Sequence, residues 1–344
     1  MLKTRTLLAL GLLASVAAQL NRPPHFLPGG DMARFALLED TQVGAPVYRL
    51  QGADPEGAGV HYSISGEHFT VDRHSGVVTL LRPLDRETVD VLEVIISITD
   101  ESVGGVEPNT VSLRRVIPVL DVNDNPPQFH GRPYAFAVPE STKIGTILYS
   151  NITVTDKDIG HNAELVITCI KSDACSSFNI QTEKVSEGEY VGTISLARVL
   201  DYEMWASYSL VLQASDTSPQ SLSATANVVI DVIDIQDQAP VFVGAPYSAT
   251  IQENSPPGKS VVRVQARDGD LGEPRPVSLT IEDDDLSYFR LVMNGSGLAT
   301  VVTSDTPIDR EHPMVLQSGG VYTFRIKATE LINNELPGEF NYES

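Results

Sequence analysis

The chain is poor in several things that would give it an obvious chemistry. It holds one tryptophan and two cysteines in 344 residues, and 24 basic residues against 45 acidic ones, for a formal net charge of −21. That balance excludes a nucleic-acid binder, which needs a basic face, and disfavours docking on anionic membranes. None of the seven histidines (His25, His61, His68, His74, His130, His161, His312) falls in a zinc or triad motif. With Trp205 alone there is no sign of an aromatic-lined cleft, so a glycosidase built on paired carboxylates is a poor reading. No long segment repeats with a capped helical period. After the N-terminus no stretch reaches the ~20 apolar residues of a spanning helix. Cys169 and Cys175, six positions apart, are expected to form one small-loop disulfide if the compartment is oxidising, the alternative being a reactive thiol pair.

What is present begins with Lys3, Arg5, an apolar run Leu7 to Leu13, and small residues Val16-Ala17-Ala18, which reads as a secretory signal over residues 1–18. The sequons at Asn151 and Asn294 are then candidate glycosylation sites. β-branched and alternating runs at Val91–Ile98, Tyr208–Ala214 and Tyr322–Ala328 read as strands. Turn residues punctuate the chain as in an all-β sandwich.

The acids are concentrated. Asp121-Val122-Asn123-Asp124-Asn125-Pro126-Pro127 packs hard oxygen donors onto a segment that proline keeps out of a strand. Such donors at short spacing suit Ca²⁺. A degraded copy, Asp234-Ile235-Gln236-Asp237-Gln238-Ala239-Pro240, follows 113 residues later. Other markers recur three times: Glu39, Glu140 and Glu253; the acidic pairs Asp54/Glu56, Asp156/Asp158 and Asp268/Asp270; strands led by Phe69, Phe178 and Phe289; Asp85-Arg86-Glu87, Asp201-Tyr202-Glu203 and Asp309-Arg310-Glu311; and Asp100, Asp216 and Glu330. Copies stand 101 to 116 residues apart, a period for independent tandem domains. The expected division is a signal peptide at 1–18 and repeats at 19–125, 126–238 and 239–344. The third repeat lacks a final strand, as in a fragment or a short product of a longer gene.

These motifs, in this order, resemble the extracellular repeats of the cadherin superfamily across the whole mature chain. Gln19-Leu20-Asn21-Arg22 and Glu253-Asn254-Ser255-Pro256-Pro257-Gly258 resemble the long nonclassical members of the otocadherin type. Members that swap a tryptophan-anchored N-terminal strand are a poorer match, because Trp205 lies deep in the second repeat. The resemblance implies tandem Greek-key β-sandwiches, immunoglobulin-like in build, joined in a calcium-stiffened rod. It implies a first ligand set of Glu39, Asp85, Glu87, Asn123, Asp124, Asp156, Asp158 and Asp216 with the carbonyls of Val122, Asn125 and Asn162. The second set is Glu140, Asp201, Glu203, Gln236, Asp237, Asp268, Asp270 and Glu330 with the carbonyls of Ile235 and Gln238. One position of the second set is expected to be weaker, because glutamines replace Asn123 and Asn125 and Pro274 stands in for Asn162. A half-site of Glu253, Asp309 and Glu311 has no partner segment. A further ion at the tip would use Asn21, Arg22, Asp54, Glu56 and Asp100. The implied function is calcium-dependent adhesion, not catalysis. The implied partner is another cadherin or protocadherin ectodomain, like or unlike, with no nucleic acid and no small-molecule substrate. The location is extracellular, at the plasma membrane in a longer anchored form and secreted as the chain stands. The alternative is a secreted binding module or decoy.

Overall fold

The computed structural model describes residues 21–101, 107–170 and 173–337. The signal segment therefore lies outside the described residues. Strands dominate, and the chain divides into two compact units.

The first unit takes in the chain up to Pro126 together with residues 156–164 and 216–222. One sheet orders Leu37–Leu38, Thr110–Leu120, Val91–Asp100 and Val60–Ile64; a second orders Pro46–Arg49, Val77–Leu80 and Phe69–Val71. Leu37–Leu38 joins its neighbour in parallel, and the other pairs are antiparallel. Val91–Asp100 shows why the sheet folds over: Leu92, Val94, Ile96 and Ile98 point inward at period two. They meet Val78 and Leu80 of the facing sheet, and Ile117 of the neighbouring strand, in one core. The last inward position of that strand is an acid, Asp100, buried and held by Asn109.

The second unit contains two sandwiches. The first has sheets Gln128–Phe129, Ile147–Thr155, Glu189–Leu196, Phe178–Ser186 and Tyr134–Pro139, Ser223–Ile233, Ser207–Asp216, Leu165–Ile170. Its core runs from Ile152 and Ile194 to Leu210 and Ile230. The Cys169–Cys175 disulfide is formed, linking a strand to the 3₁₀ turn Asp173–Ser177. The other sandwich has a four-stranded sheet, Val241–Phe242, Ser260–Arg267, Leu298–Thr303, Phe289–Gly295, and among the described residues only Val277–Glu282 and Arg325–Glu330 on the facing side. Its buried core is correspondingly small, centred on Val264, Leu279 and Val301.

All three phenylalanines expected to lead strands do so, at Phe69, Phe178 and Phe289. The strand expected from Tyr322 starts later, at Arg325. Tyr322 is drawn aside by its hydroxyl, which donates to Asp284 Oδ1 at 2.6 Å, and by ring contacts to Tyr288, Phe289 and Phe324. Asn151 and Asn294 are both exposed.

Ile96 has no solvent exposure and sits at the centre of the first core. Ile96→Ala is expected to destabilise that unit by about 2–5 kcal/mol. Denaturant unfolding checks this, and a cost well under ~1 kcal/mol would show that the site is not packed.

Candidate metal centres

The first unit gathers acids at the linker through a clamp. Glu39 follows the short strand Leu37–Leu38 and is buried. Its Oε1 accepts the Val122 amide at 2.7 Å and its Oε2 accepts the Arg86 amide at 2.6 Å. One carboxylate thus ties the linker to the Asp85-Arg86-Glu87 turn. Glu87 comes within a ligand's reach of Glu39 and Asp124, and also of Asp121 and Asp158.

Each of these groups is positioned by a local donor. Asp121 Oδ2 accepts the Ile159 amide at 3.1 Å and Asn162 Nδ2 at 2.9 Å. Asn125 Nδ2 donates to Asp158, Glu87 and Asp124. Asp156 accepts the amide of Asp158. Asp216 accepts the Ser218 and Leu222 amides, and Asn123 Nδ2 donates to Asp216, Ser218 and Gln220. Val122 contributes its amide here and Asn162 its side-chain Nδ2.

The second unit repeats the plan. Glu140 accepts the Ile235 amide at 2.9 Å and the Tyr202 amide at 2.6 Å, as Glu39 does with Val122 and Arg86. Glu140, Asp201 and Glu203 form one triad; Glu203, Asp234 and Asp270 a second; Asp268, Asp270 and Glu330 a third. Asp270 is held by the Asp237 and Gln238 amides. Gly272 and Glu273 donate backbone amides to Asp234 Oδ2, replacing the donors that Ile159 and Asn162 give Asp121. A Cβ at Gly272 would come within 2.5 Å of that carboxylate, so the approach requires glycine. Gln236 Nε2 donates to Glu273 O while its Oε1 is buried and bare, just as Asn123 Oδ1 is. The Gly272 and Glu273 amides thus stand beside Asp234 where Asn162 Nδ2 stands beside Asp121.

Of the sequence-assigned carboxylates of the two linker sets, Asp85, Asp156, Asp216 and Asp237 join no triad among the described residues. Thr88 occupies both oxygens of Asp85, through its amide at 3.1 Å and its hydroxyl at 2.9 Å. Asp201 does join, because Met204 replaces Thr88 and offers only its amide. Asp85 still lines an open hollow with Glu87, Asp124, Asn125 and Lys157. Two members were missed from sequence, Asp121 and Asp234, although the first acid of both linker copies is the signal that would have found them. Glu253, Asp309 and Glu311 are exposed. At the tip, Arg22 engages Glu56, and the Glu56 and Ala58 amides take one oxygen of Asp54.

Electrostatics sharpen the picture. Eleven buried side-chain polar atoms lack any hydrogen-bond partner among the described residues, and nine are oxygens of these two centres. They belong to Glu87, Asp121, Asn123 and Asp156 in the first, and to Glu203, Asp234, Gln236, Asp268 and Asp270 in the second. The sole ion pair made by a member of either centre, among the described residues, is Arg275 with Glu330 at 3.5 Å. Burial and the charge of Glu39 push the Glu87 carboxyl up to about 7, and burial pushes Asp156 up to about 6. Asp158, Glu203 and Glu330 are raised in the same way, by burial first and then by neighbouring acids. Burial works to raise Asp216 as well, but donors from Ser218, Leu222 and Asn123 hold it low. Hard carboxylate and amide oxygens, bare and unneutralised, fit a hard divalent cation such as Ca²⁺.

Comparison with known proteins agrees with the architecture. The cadherin domain model matches residues 33–120 and 134–233. The chain belongs to the cadherin family. It is 35% identical over 346 residues to mouse cadherin-related family member 1, spanning 95% of this chain and 37% of that protein. It is 33% identical to human cadherin-23, spanning 95% of this chain and 9% of that protein. The crystal structure of mouse cadherin-23 EC22-24 superposes with a TM-score of 0.66 at 25% identity, covering 90% of this cadherin and 94% of that chain. The cadherin described here thus spans little more than a third of one curated relative and a small part of the other. The matched model and these relatives are cadherins, not enzymes.

A carboxyl raised on folding binds its proton where the unfolded chain has lost it, so stability falls as pH rises through that window. For Glu87 the window runs from 4.5 to about 7, and for Asp156 from 3.8 to about 6. In chelator, the melting temperature is therefore expected to drop between about pH 5 and about pH 7.5. A flat or rising profile over that range would show that these carboxyls are not crowded in the metal-free chain.

Proposed function

We propose that this cadherin segment is an extracellular, calcium-dependent adhesion module whose acidic linkers stiffen when the cation binds. The observation that carries the reading is the set of nine buried oxygens without a donor. At the first centre Glu39, Glu87, Asp121, Asn123, Asp124, Asp156, Asp158 and Asp216 would hold the ions, with Asp85 at the margin and the carbonyls of Val122, Asn125 and Asn162 as further donors. At the second, Glu140, Asp201, Glu203, Asp234, Gln236, Asp237, Asp268, Asp270 and Glu330 would do so, with the carbonyls of Ile235 and Gln238. Bound Ca²⁺ would supply the positive charge that both centres lack. Glu39 and Glu140 each hold a linker amide and a turn amide at once, so they fix the backbone while other carboxylates remain free to ligate. Without that charge the same carboxylates repel one another, and the linker loosens.

Repeat boundaries after residues 125 and 238 accord with three separate hydrophobic cores. We assign the partner to another cadherin or protocadherin ectodomain, with membrane anchoring in a longer form. Secretion by the segment 1–18 and glycans on Asn151 and Asn294 belong to the same proposal.

Thermal unfolding of the full chain, titrated with Ca²⁺ from chelator to a few millimolar, tests it; extracellular modules bind in the ~10⁻⁴–10⁻³ M range. Each site saturated a hundredfold adds about 2.7 kcal/mol, so a clear rise in melting temperature is expected. Glu87→Gln and Asp270→Asn should each remove part of that rise. An unchanged melting temperature in calcium would overturn the reading.

A further inference from the structure

The first unit holds a bare polar atom of a different kind. Of the eleven buried atoms without a hydrogen-bond partner among the described residues, two lie outside the acidic centres. One of these, His61 Nδ1, is the only nitrogen of the eleven. A buried ring nitrogen without a partner is unfavourable. Its chemistry is set from the far side of the ring, where Nε2 lies 3.3 Å from Glu101 Oε1. A carboxylate there favours the tautomer with its proton on Nε2, which leaves Nδ1 as a lone pair. Glu101 is itself fixed: its amide donates to Gly59 O at 2.9 Å, and a Cβ at Gly59 would come within 2.6 Å of its carboxyl carbon.

A second imidazole stands beside the first. The ring centroids of His61 and His74 are 4.9 Å apart, with 80° between the planes. Two imidazoles on one tetrahedral Zn²⁺, with Zn–N of ~2.0–2.1 Å, place their centroids roughly 5 Å apart. The turn that bears His74 is braced, because Asp72 Oδ1 accepts the His74 amide at 3.2 Å and the Ser75 amide at 2.8 Å. The Tyr62 amide donates to Arg73 O at 2.9 Å, tying that turn to the strand Val60–Ile64. His74 is exposed, which gives an ion a route from solvent.

The fold does not require this pair. In the third repeat Val277 pairs with Glu330 as Val60 pairs with Asp100, which puts Ser278 where His61 stands. Gly297 accepts the Ala266 amide as Gly76 accepts the Leu50 amide, which puts Gly295 where His74 stands.

We propose that His61 Nδ1 and His74 bind a divalent transition-metal ion of the Zn²⁺ type, with Glu101 orienting His61 and water completing the coordination. Imidazole nitrogen takes such ions, whereas carboxylate and carbonyl oxygen take Ca²⁺. The site is therefore separate in chemistry from the acidic centres. An ion held there would staple the turn after Val71 to the strand Val60–Ile64.

The experiment titrates Zn²⁺ into the full, untagged chain in saturating Ca²⁺, which fills the carboxylate centres, and reads the heat of binding. One tightly held Zn²⁺ per chain is expected. Glu101→Gln should weaken it about tenfold or more, and His74→Ala by a larger factor. Both residues are exposed, so an unchanged melting temperature without Zn²⁺ confirms that the variants fold. Zn²⁺ binding that disappears in saturating Ca²⁺ overturns the proposal, and so does binding that His74→Ala leaves intact. Binding that Glu101→Gln leaves intact overturns the assignment of Nδ1 as the ligand. The rise in melting temperature with Ca²⁺ is measured without Zn²⁺, so either reading can fail alone.

Discussion

Buried carboxylates held by protein dipoles, with almost no cation to neutralise them, are the constraint on which the rest of this structure depends. Backbone amides fix Glu39, Asp121, Asp216, Glu140, Asp234 and Asp270 in place. Fixing them leaves other oxygens of the same clusters bare, and a bare buried carboxylate oxygen is unfavourable. The hydrophobic cores supply the rigidity that keeps these groups together. Strands such as Val91–Asp100 bury aliphatic residues along one face and end in an acid. The sandwich thus determines where each acid lies, and the acids impose a demand that hydrophobic packing cannot meet.

The two centres solve the same problem with different residues. A pair of side chains at the first, Asn123 and Asn162, is replaced at the second by Gln236 and by the amides of Gly272 and Glu273. Backbone donors are indifferent to side-chain identity, so the plan survives a linker whose sequence has drifted. The Glu39 and Glu140 clamps illustrate the point, since both grip amides and neither depends on what Arg86 or Tyr202 carries beyond its backbone.

Much of this was legible in the residues. The repeat of Glu39, Asp85-Arg86-Glu87 and the Asp-rich linker located both centres, and the period-two patterns located the strands. Three things were not. Asp121 and Asp234 look like the ends of strands until the fold turns them inward. Asp85 and Asp201 look equivalent until Thr88 supplies a hydroxyl that Met204 lacks. His61 and His74, unremarkable in sequence, come to lie 4.9 Å apart by ring centroids because the turn after Val71 folds beside the strand Val60–Ile64. In each case the deciding contact joins residues far apart in the chain or depends on a neighbour's side chain, which local pattern does not encode.

One feature of the clusters extends beyond binding strength. Glu87 belongs to two triads, and so do Glu203 and Asp270. A shared carboxylate makes neighbouring positions thermodynamically coupled, so a cation held at one would change the affinity of the next. Because coupling is reciprocal, losing a single shared glutamate would alter every position it serves.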